Sequence, residues 1–110
     1  MWTEIERVIE SNQTFVVTSH VNPDGDSIGS ALALCEFLKA LGKEAVVMTS
    51  DAIPMAYQWL DPDGEMIAPA TEDDFGTITS ADAVFILDVN SWERLGTIGE
   101  TIRDAAAAKA

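Results

Sequence analysis

Residues 14–42 read TFVVTSHVNPDGDSIGSALALCEFLKALG, and this stretch decides the fold. The run TFVVT is short, β-branched and aromatic, which predicts a buried strand. After a polar loop, apolar residues recur at helical spacing from Ile28 to Leu41, and Gly42 is the usual left-handed stop of a helix. The stretch therefore predicts a strand, a loop and a helix in that order.

The rest of the chain continues the alternation of helices and strands. WTEIERVIE predicts a first helix, because Ile5, Val8 and Ile9 lie at helical spacing. EAVVMTS predicts a second strand, Pro54 in IPMAYQWL is well placed to start a helix, and Asp61–Gly64 predicts a turn. DAVFILDV predicts a strand buried on both faces, and TIGETIRDAAAAKA predicts a last helix that reaches the end of the chain. This order predicts an α/β fold, a three-layer sandwich whose mainly parallel sheet is flanked by helices.

Composition excludes several classes of protein. Nineteen acidic and six basic residues give a net charge of −13 in a chain of 110 residues. Such a charge argues against a broad positive surface for extended duplex nucleic acid. No apolar run approaches the roughly 20 residues that a membrane-spanning helix needs. The N-terminus has no secretory signal core and the single Cys35 reads as a small core residue, so we expect a cytoplasmic protein with no membrane partner.

Polar, metal-binding residue types follow two of the predicted strands. His20, Asp24 and Asp26 come after the first strand, and Asp88 comes directly after the run VFIL. Ligands of open parallel sheets bind beyond the carboxyl ends of the strands, so these four residues are expected to converge. Two carboxylates about 4 Å apart repel each other by roughly 4 kcal/mol at an effective dielectric near 20. A divalent cation removes that conflict, and one imidazole with several carboxylates suits manganese, magnesium or zinc.

Other motifs fit this loop less well. A P-loop needs a lysine after its second glycine, but here Gly29 is followed by Ser30 and Ala31. A dinucleotide-binding loop needs a third glycine and a tighter spacing, and this loop has neither. An EF-hand that begins at His20 would leave Ala31 where the bidentate glutamate belongs. Taken singly, a histidine at a strand end or an aspartate beside a glycine is more often a polar or turn residue than a ligand. Their joint occurrence after two separate strands favours a metal site.

The segments FVVTSHVNPDGDSIGSALAL and VFILDVNSWERLG resemble the first two metal-binding motifs of the DHH phosphoesterase family. The NPDGD form is similar to the branch that contains short-oligoribonucleotide hydrolases and phosphatases of 3′-phosphoadenosine 5′-phosphate. The resemblance implies a manganese-dependent phosphoesterase that hydrolyses short oligonucleotides or nucleotide phosphates with a water activated by two metal ions, magnesium being an alternative metal. It also implies that His20 and Asp24 hold one ion, that Asp26 belongs to the second, and that Asp88 bridges the pair.

The chain departs from the family pattern in one respect. Its only histidine is His20, so the Asp-His-His triplet that names the family is not among these residues. We therefore expect residues 1–110 to be the N-terminal part of a DHH catalytic domain, without the triplet and the C-terminal substrate-binding domain, and inactive or weakly active alone. The alternative is a non-catalytic module that keeps the fold and binds a nucleotide or a partner protein. An incomplete sheet would expose apolar surface and an unpaired edge, which predicts a homo-oligomer.

Overall fold

The computed structural model describes residues 2–19, 25–62, 64–87, 96, 98–104 and 108–109. Helices and strands alternate along most of this length, and two short 3₁₀ helices lie at Met55–Leu60 and Glu72–Asp74. The remaining elements are α1 (Trp2–Ser11), β1 (Thr14–Thr18), α2 (Gly25–Ala40), β2 (Glu44–Val47), α3 (Phe75–Ser80), β3 (Ala83–Ile86), α4 (Gly99–Asp104) and β4 (Ala108–Lys109).

The four strands form one parallel sheet in the order β2-β1-β3-β4. In the register of the sheet, Val16 of β1 pairs with Val46 on one side and with Val84 on the other. The chain thus leaves β1 toward β2 on one side and returns to β3 on the opposite side. The carboxyl ends of β1 and β3 consequently lie next to each other, at the point where ligands of such sheets usually bind.

Two apolar cores lie on opposite faces of the sheet, because successive side chains of a strand point to opposite faces. Phe15 and Val17 pack with apolar residues of α1 and α2, while Val16 and Val84 pack with residues of α3 and α4. On the α1 and α2 side, the rings of Phe15 and Phe85 are stacked with centroids 5.8 Å apart. The predicted three-layer α/β sandwich with a parallel sheet is confirmed.

An aspartate joins β1 and β3 at the opposite, amino end of the sheet. Asp82 Oδ2 accepts hydrogen bonds from the backbone N–H groups of Gln13 (2.9 Å) and Thr14 (3.1 Å). In return, the Asp82 N–H donates to Thr14 Oγ1 at 2.9 Å. The two backbone donors lower the pKa of Asp82 from its ordinary value of 3.8, since they stabilise the ionised carboxylate. These bonds help to set the register between β1 and β3.

Both predicted glycine turns are confirmed. Gly42 has φ 82° and ends α2 in the left-handed conformation that an L side chain rarely adopts. Gly64 has φ 67°, and its N–H donates to the Asp61 carbonyl at 3.1 Å, as expected of a turn. Pro54 precedes a helix as predicted, but the helix is 3₁₀ rather than α.

Two predicted helix boundaries are wrong, and one short helix was not predicted. The described part of the last helix is Gly99–Asp104, whereas Ala108 and Lys109 form β4 and pair with Ala83 and Val84. Strand pairing here overrides the high helix propensity of the alanines, which is a weak local preference. Sequence reasoning also missed α3, whose one turn and a half is too short to show a helical period. In addition, α2 begins at Gly25, ahead of the predicted start.

Within the described residues, no helix combines the length and the apolar character needed to cross a bilayer. Some large apolar side chains are nevertheless exposed, among them Met55 (85% exposed) and Trp59 (72% exposed).

Candidate active site at the carboxyl ends of β1 and β3

Hydrogen bonds tie the carboxyl ends of β1 and β3 together. Ser19 Oγ donates to the Leu87 carbonyl at 3.0 Å, and the Leu87 N–H donates to the Thr18 carbonyl at 2.9 Å. Ser19 is 2% exposed and Thr18 is fully buried, so water competes little for these bonds. We call these three residues, Thr18, Ser19 and Leu87, the rim junction.

The rim junction lies immediately before two of the predicted metal ligands in the sequence. His20 follows Ser19, and Asp88 follows Leu87. Both residues, like Asp24, lie outside the residues that the structure describes. The described backbone therefore brings together the two positions from which His20 and Asp88 continue, and the geometry of their side chains stays a prediction.

The first turn of α2 follows β1 in the chain, after residues 19–24. Asp26 is the second residue of α2, and its side chain is not among those described. Ser27 and Ile28, which follow it, are 4% and 1% exposed, so the turn is packed into the protein. The N-terminus of an α-helix carries unpaired N–H groups and a partial positive charge, which favour a nearby anion.

Two further hydrogen bonds involve the chain that follows β2. The N–H of Ile98, just before α4, donates to Ser50 Oγ at 3.1 Å. Thr49 is 2% exposed, and its hydroxyl donates to the Asp51 carbonyl at 2.8 Å. The chain after β2 is therefore held to the residue that precedes α4.

Among the described residues, no group of three or more His, Cys, Asp or Glu side chains could hold a metal ion. Sequence reasoning did not single out Ser19. The available signal was a small hydroxyl residue at the end of a buried strand, directly before the only histidine.

Comparison with known proteins decides the family. The DHH family N-terminal domain matches residues 14–109, which is most of the chain. The chain belongs to the DHH family. The match includes both segments on which the resemblance was based, so that prediction is confirmed.

A curated relative and a solved structure agree with this assignment. The bifunctional oligoribonuclease and PAP phosphatase NrnA of Thermus thermophilus is 66% identical over 29 residues, which cover 26% of this chain and 9% of the relative. An exopolyphosphatase-related protein from Bacteroides fragilis superposes with a TM-score of 0.90 at 28% identity. That superposition covers 97% of this chain and 32% of the other, so this DHH-family chain spans about a third of that protein's length.

Proposed function

We propose that this DHH-family chain supplies metal ligands of a phosphoesterase that hydrolyses phosphodiester or phosphomonoester bonds of short oligonucleotides or nucleotide phosphates. The family match and the name of the Thermus relative support hydrolase chemistry of the phosphoesterase type. The substrate class comes from the NPDGD motif and from that relative, which shares only a short stretch with this chain.

The rim junction is the observation that carries the proposal. Consecutive Cα atoms lie about 3.8 Å apart and neighbouring strands about 4.8 Å apart. His20 follows Ser19 and Asp88 follows Leu87 in the sequence, and Ser19 and Leu87 are joined by a hydrogen bond. An imidazole and a carboxylate attached there are long enough to reach a common ion.

The types of donor fit a pair of hard divalent ions. From the family resemblance, His20 and Asp24 would hold one manganese ion, Asp26 would belong to the second, and Asp88 would contribute to both. This set offers one imidazole nitrogen and several carboxylate oxygens, which suits manganese or magnesium. It leaves out Cys35, which is buried in the core between α2 and the sheet and whose thiol has a pKa raised by that burial.

The chain's own residues then have distinct tasks in hydrolysis. When bound, the ions would supply the positive charge that lowers the pKa of an attacking water and stabilises the phosphoryl oxygens. Ser19 would hold β1 and β3 in register at the rim, and the N-terminus of α2 would favour the substrate phosphate over water. The broad surface of the chain is acidic, so the phosphate has to be attracted locally.

Calorimetric titration with Mn²⁺ tests the proposal. We expect the wild-type chain to bind Mn²⁺ and the His20→Ala, Asp88→Ala double variant to lose that binding. A matched control, Glu72→Ala with Asp73→Ala, removes two exposed carboxylates from the 3₁₀ turn before α3 and should bind as the wild type does. Equal heats for the wild type and the rim double variant would refute the metal site and favour the non-catalytic module.

A hydrolysis assay supplies a second measurement. We expect weak or no turnover of short oligoribonucleotides or 3′-phosphoadenosine 5′-phosphate by these 110 residues, since the Asp-His-His triplet is not among them. Any turnover that occurs should require Mn²⁺ and should disappear in the rim double variant. Turnover that persists in the double variant would contradict the assigned roles.

A further inference from the structure

A cavity of about 370 Å³ opens between residues 52–62, which follow β2 in the chain, and residues 64–68. One wall follows β2 in the chain, and the other belongs to a segment that returns beside the strand through the bridge between Met48 and Ile67. The Ile67 N–H donates to the Val47 carbonyl at 2.9 Å, which holds this second wall against the strand. The residues that matter for recognition are Ile53, Gln58, Asp61, Pro62, Met66 and Ala68.

The lining combines apolar walls with two planar polar groups. Ile53, Pro62 and Met66 are apolar, whereas Gln58 offers an amide and Asp61 a carboxylate. The Asp61 oxygens accept the N–H groups of Glu65 (3.0 Å) and Met66 (2.9 Å), which fixes the carboxylate in place. Each of these oxygens keeps a further lone pair for another donor. A flat ligand with apolar faces and hydrogen-bonding edges matches this lining, and the volume is within the usual range of ligand pockets.

The charges near the cavity favour a neutral group over a phosphate. None of the cationic side chains that the structure describes lines it. Lys39, on α2, bonds Glu65 at 3.0 Å and also lies 3.7 Å from Glu36. The Asp61 carboxylate in the wall would repel an anion but would accept an N–H group.

The cavity also lies within reach of the rim junction. The segment around Ile67 lies one strand spacing outside β2, which is itself the neighbour of β1, so the cavity that this segment lines is about three strand spacings, roughly 15 Å, from the boundary between β1 and β3. The sugar and backbone of a short oligonucleotide can span this distance between a phosphate and a base.

We propose that this cavity binds a nucleobase of a short oligonucleotide that has the phosphate of a neighbouring nucleotide at the rim junction, with Gln58 and Asp61 forming hydrogen bonds to the edge of the base. This inference rests on the proposed function for the position of the phosphate. Because Asp61 only accepts hydrogen bonds, the cavity prefers bases that carry an exocyclic amino group, and guanine presents two adjacent N–H donors on one edge.

Amide NMR of the ¹⁵N-labelled chain, titrated with guanosine 5′-monophosphate in EDTA, tests the inference without metal or turnover. The expected result is a set of shift changes at Gln58, Gly64 and Met66 and at the indole of the adjacent Trp59. Ribose 5-phosphate, which lacks a base, should leave these signals unmoved. Uridine 5′-monophosphate, which has no exocyclic amino group, should bind more weakly.

Variants of the chain's two glutamines sharpen the test. Gln58→Ala should weaken guanosine 5′-monophosphate binding about fivefold, the effect of one lost neutral hydrogen bond. Gln13→Ala is the matched control, because Gln13 lies at the amino end of the sheet and donates to the Gly42 carbonyl at 2.9 Å. It should leave the affinity unchanged.

The outcomes separate this inference from the proposed function. Manganese binding without shifts at the cavity would overturn the base pocket and leave the phosphoesterase proposal standing. Shifts at the cavity without manganese binding would support the base pocket and refute the metal site. Shifts of equal size with ribose 5-phosphate, or unchanged affinity in Gln58→Ala, would also overturn the base pocket.

Discussion

Replacing Ser19 by alanine tests whether the rim junction positions metal ligands. The change removes the 3.0 Å hydrogen bond from Ser19 Oγ to the Leu87 carbonyl and leaves the main chain of both strands chemically unchanged. Ser19 is only 2% exposed, so water cannot readily replace the lost donor. A hydrogen bond of this kind contributes about 1 kcal/mol, and we expect the free energy of unfolding to fall by about 1 to 2 kcal/mol.

We expect Ser19→Ala to weaken Mn²⁺ binding by more than a loss of folding stability of this size would explain. Removing a residue that orients metal ligands typically lowers metal affinity by about 10-fold to 100-fold. Ser19 acts on His20 and Asp88 through the backbone rather than by touching their side chains, so we expect the lower end, about tenfold weaker Mn²⁺ binding. Calorimetry gives the affinity, and urea unfolding of the same preparation gives the stability.

Ser80→Ala is the matched control for Ser19→Ala. The Ser80 hydroxyl donates to the Gly76 carbonyl at 2.7 Å inside α3, and it is exposed to water. We expect a small loss of stability and unchanged Mn²⁺ affinity. If Ser19→Ala lowers stability as expected but binds Mn²⁺ within about twofold of the wild type, the rim junction is structural only, and the argument from the junction to the site fails.

The other predictions concern the scaffold. The pKa of Asp82 is lower in the folded chain than its ordinary value of 3.8, so this group stabilises the fold above that pH and the contribution is lost as pH falls through the folded pKa. Acid titration followed by circular dichroism should show less of this loss in Asp82→Asn. Phe85→Ala removes the ring stacked on Phe15 and should cost about 3 to 5 kcal/mol in urea unfolding, and a cost below about 1 kcal/mol would contradict the packing. Gly42→Ala meets no atom within 4 Å, so only the strain at φ 82° should appear, about 1 kcal/mol by thermal unfolding. Self-association remains expected from exposed apolar residues such as Trp59, and a single monomeric species in sedimentation at high concentration would contradict it.

Local sequence patterns predicted the elements whose own residues carry the signal. The strand in TFVVT, the long helix after it, its stop at Gly42 and the parallel order of the sheet are all confirmed. The same loop motif indicated the DHH family correctly. These features depend on near neighbours in the chain, whose spacing is visible in the sequence. The assignment of His20, Asp24, Asp26 and Asp88 to metal remains a prediction of the same motif.

Other features depend on residues that are far apart in the chain, and only the tertiary structure decided them. Ser19 meets Leu87 across 68 positions, and Asp82 meets Gln13 across 69. The alanine-rich end favours a helix by propensity, yet Ala108 pairs with Ala83 as a strand, because hydrogen bonds to a neighbouring strand can outweigh a local preference. The sequence alone thus determined the order of the elements and the family, while long-range hydrogen bonding decided how the strand ends meet.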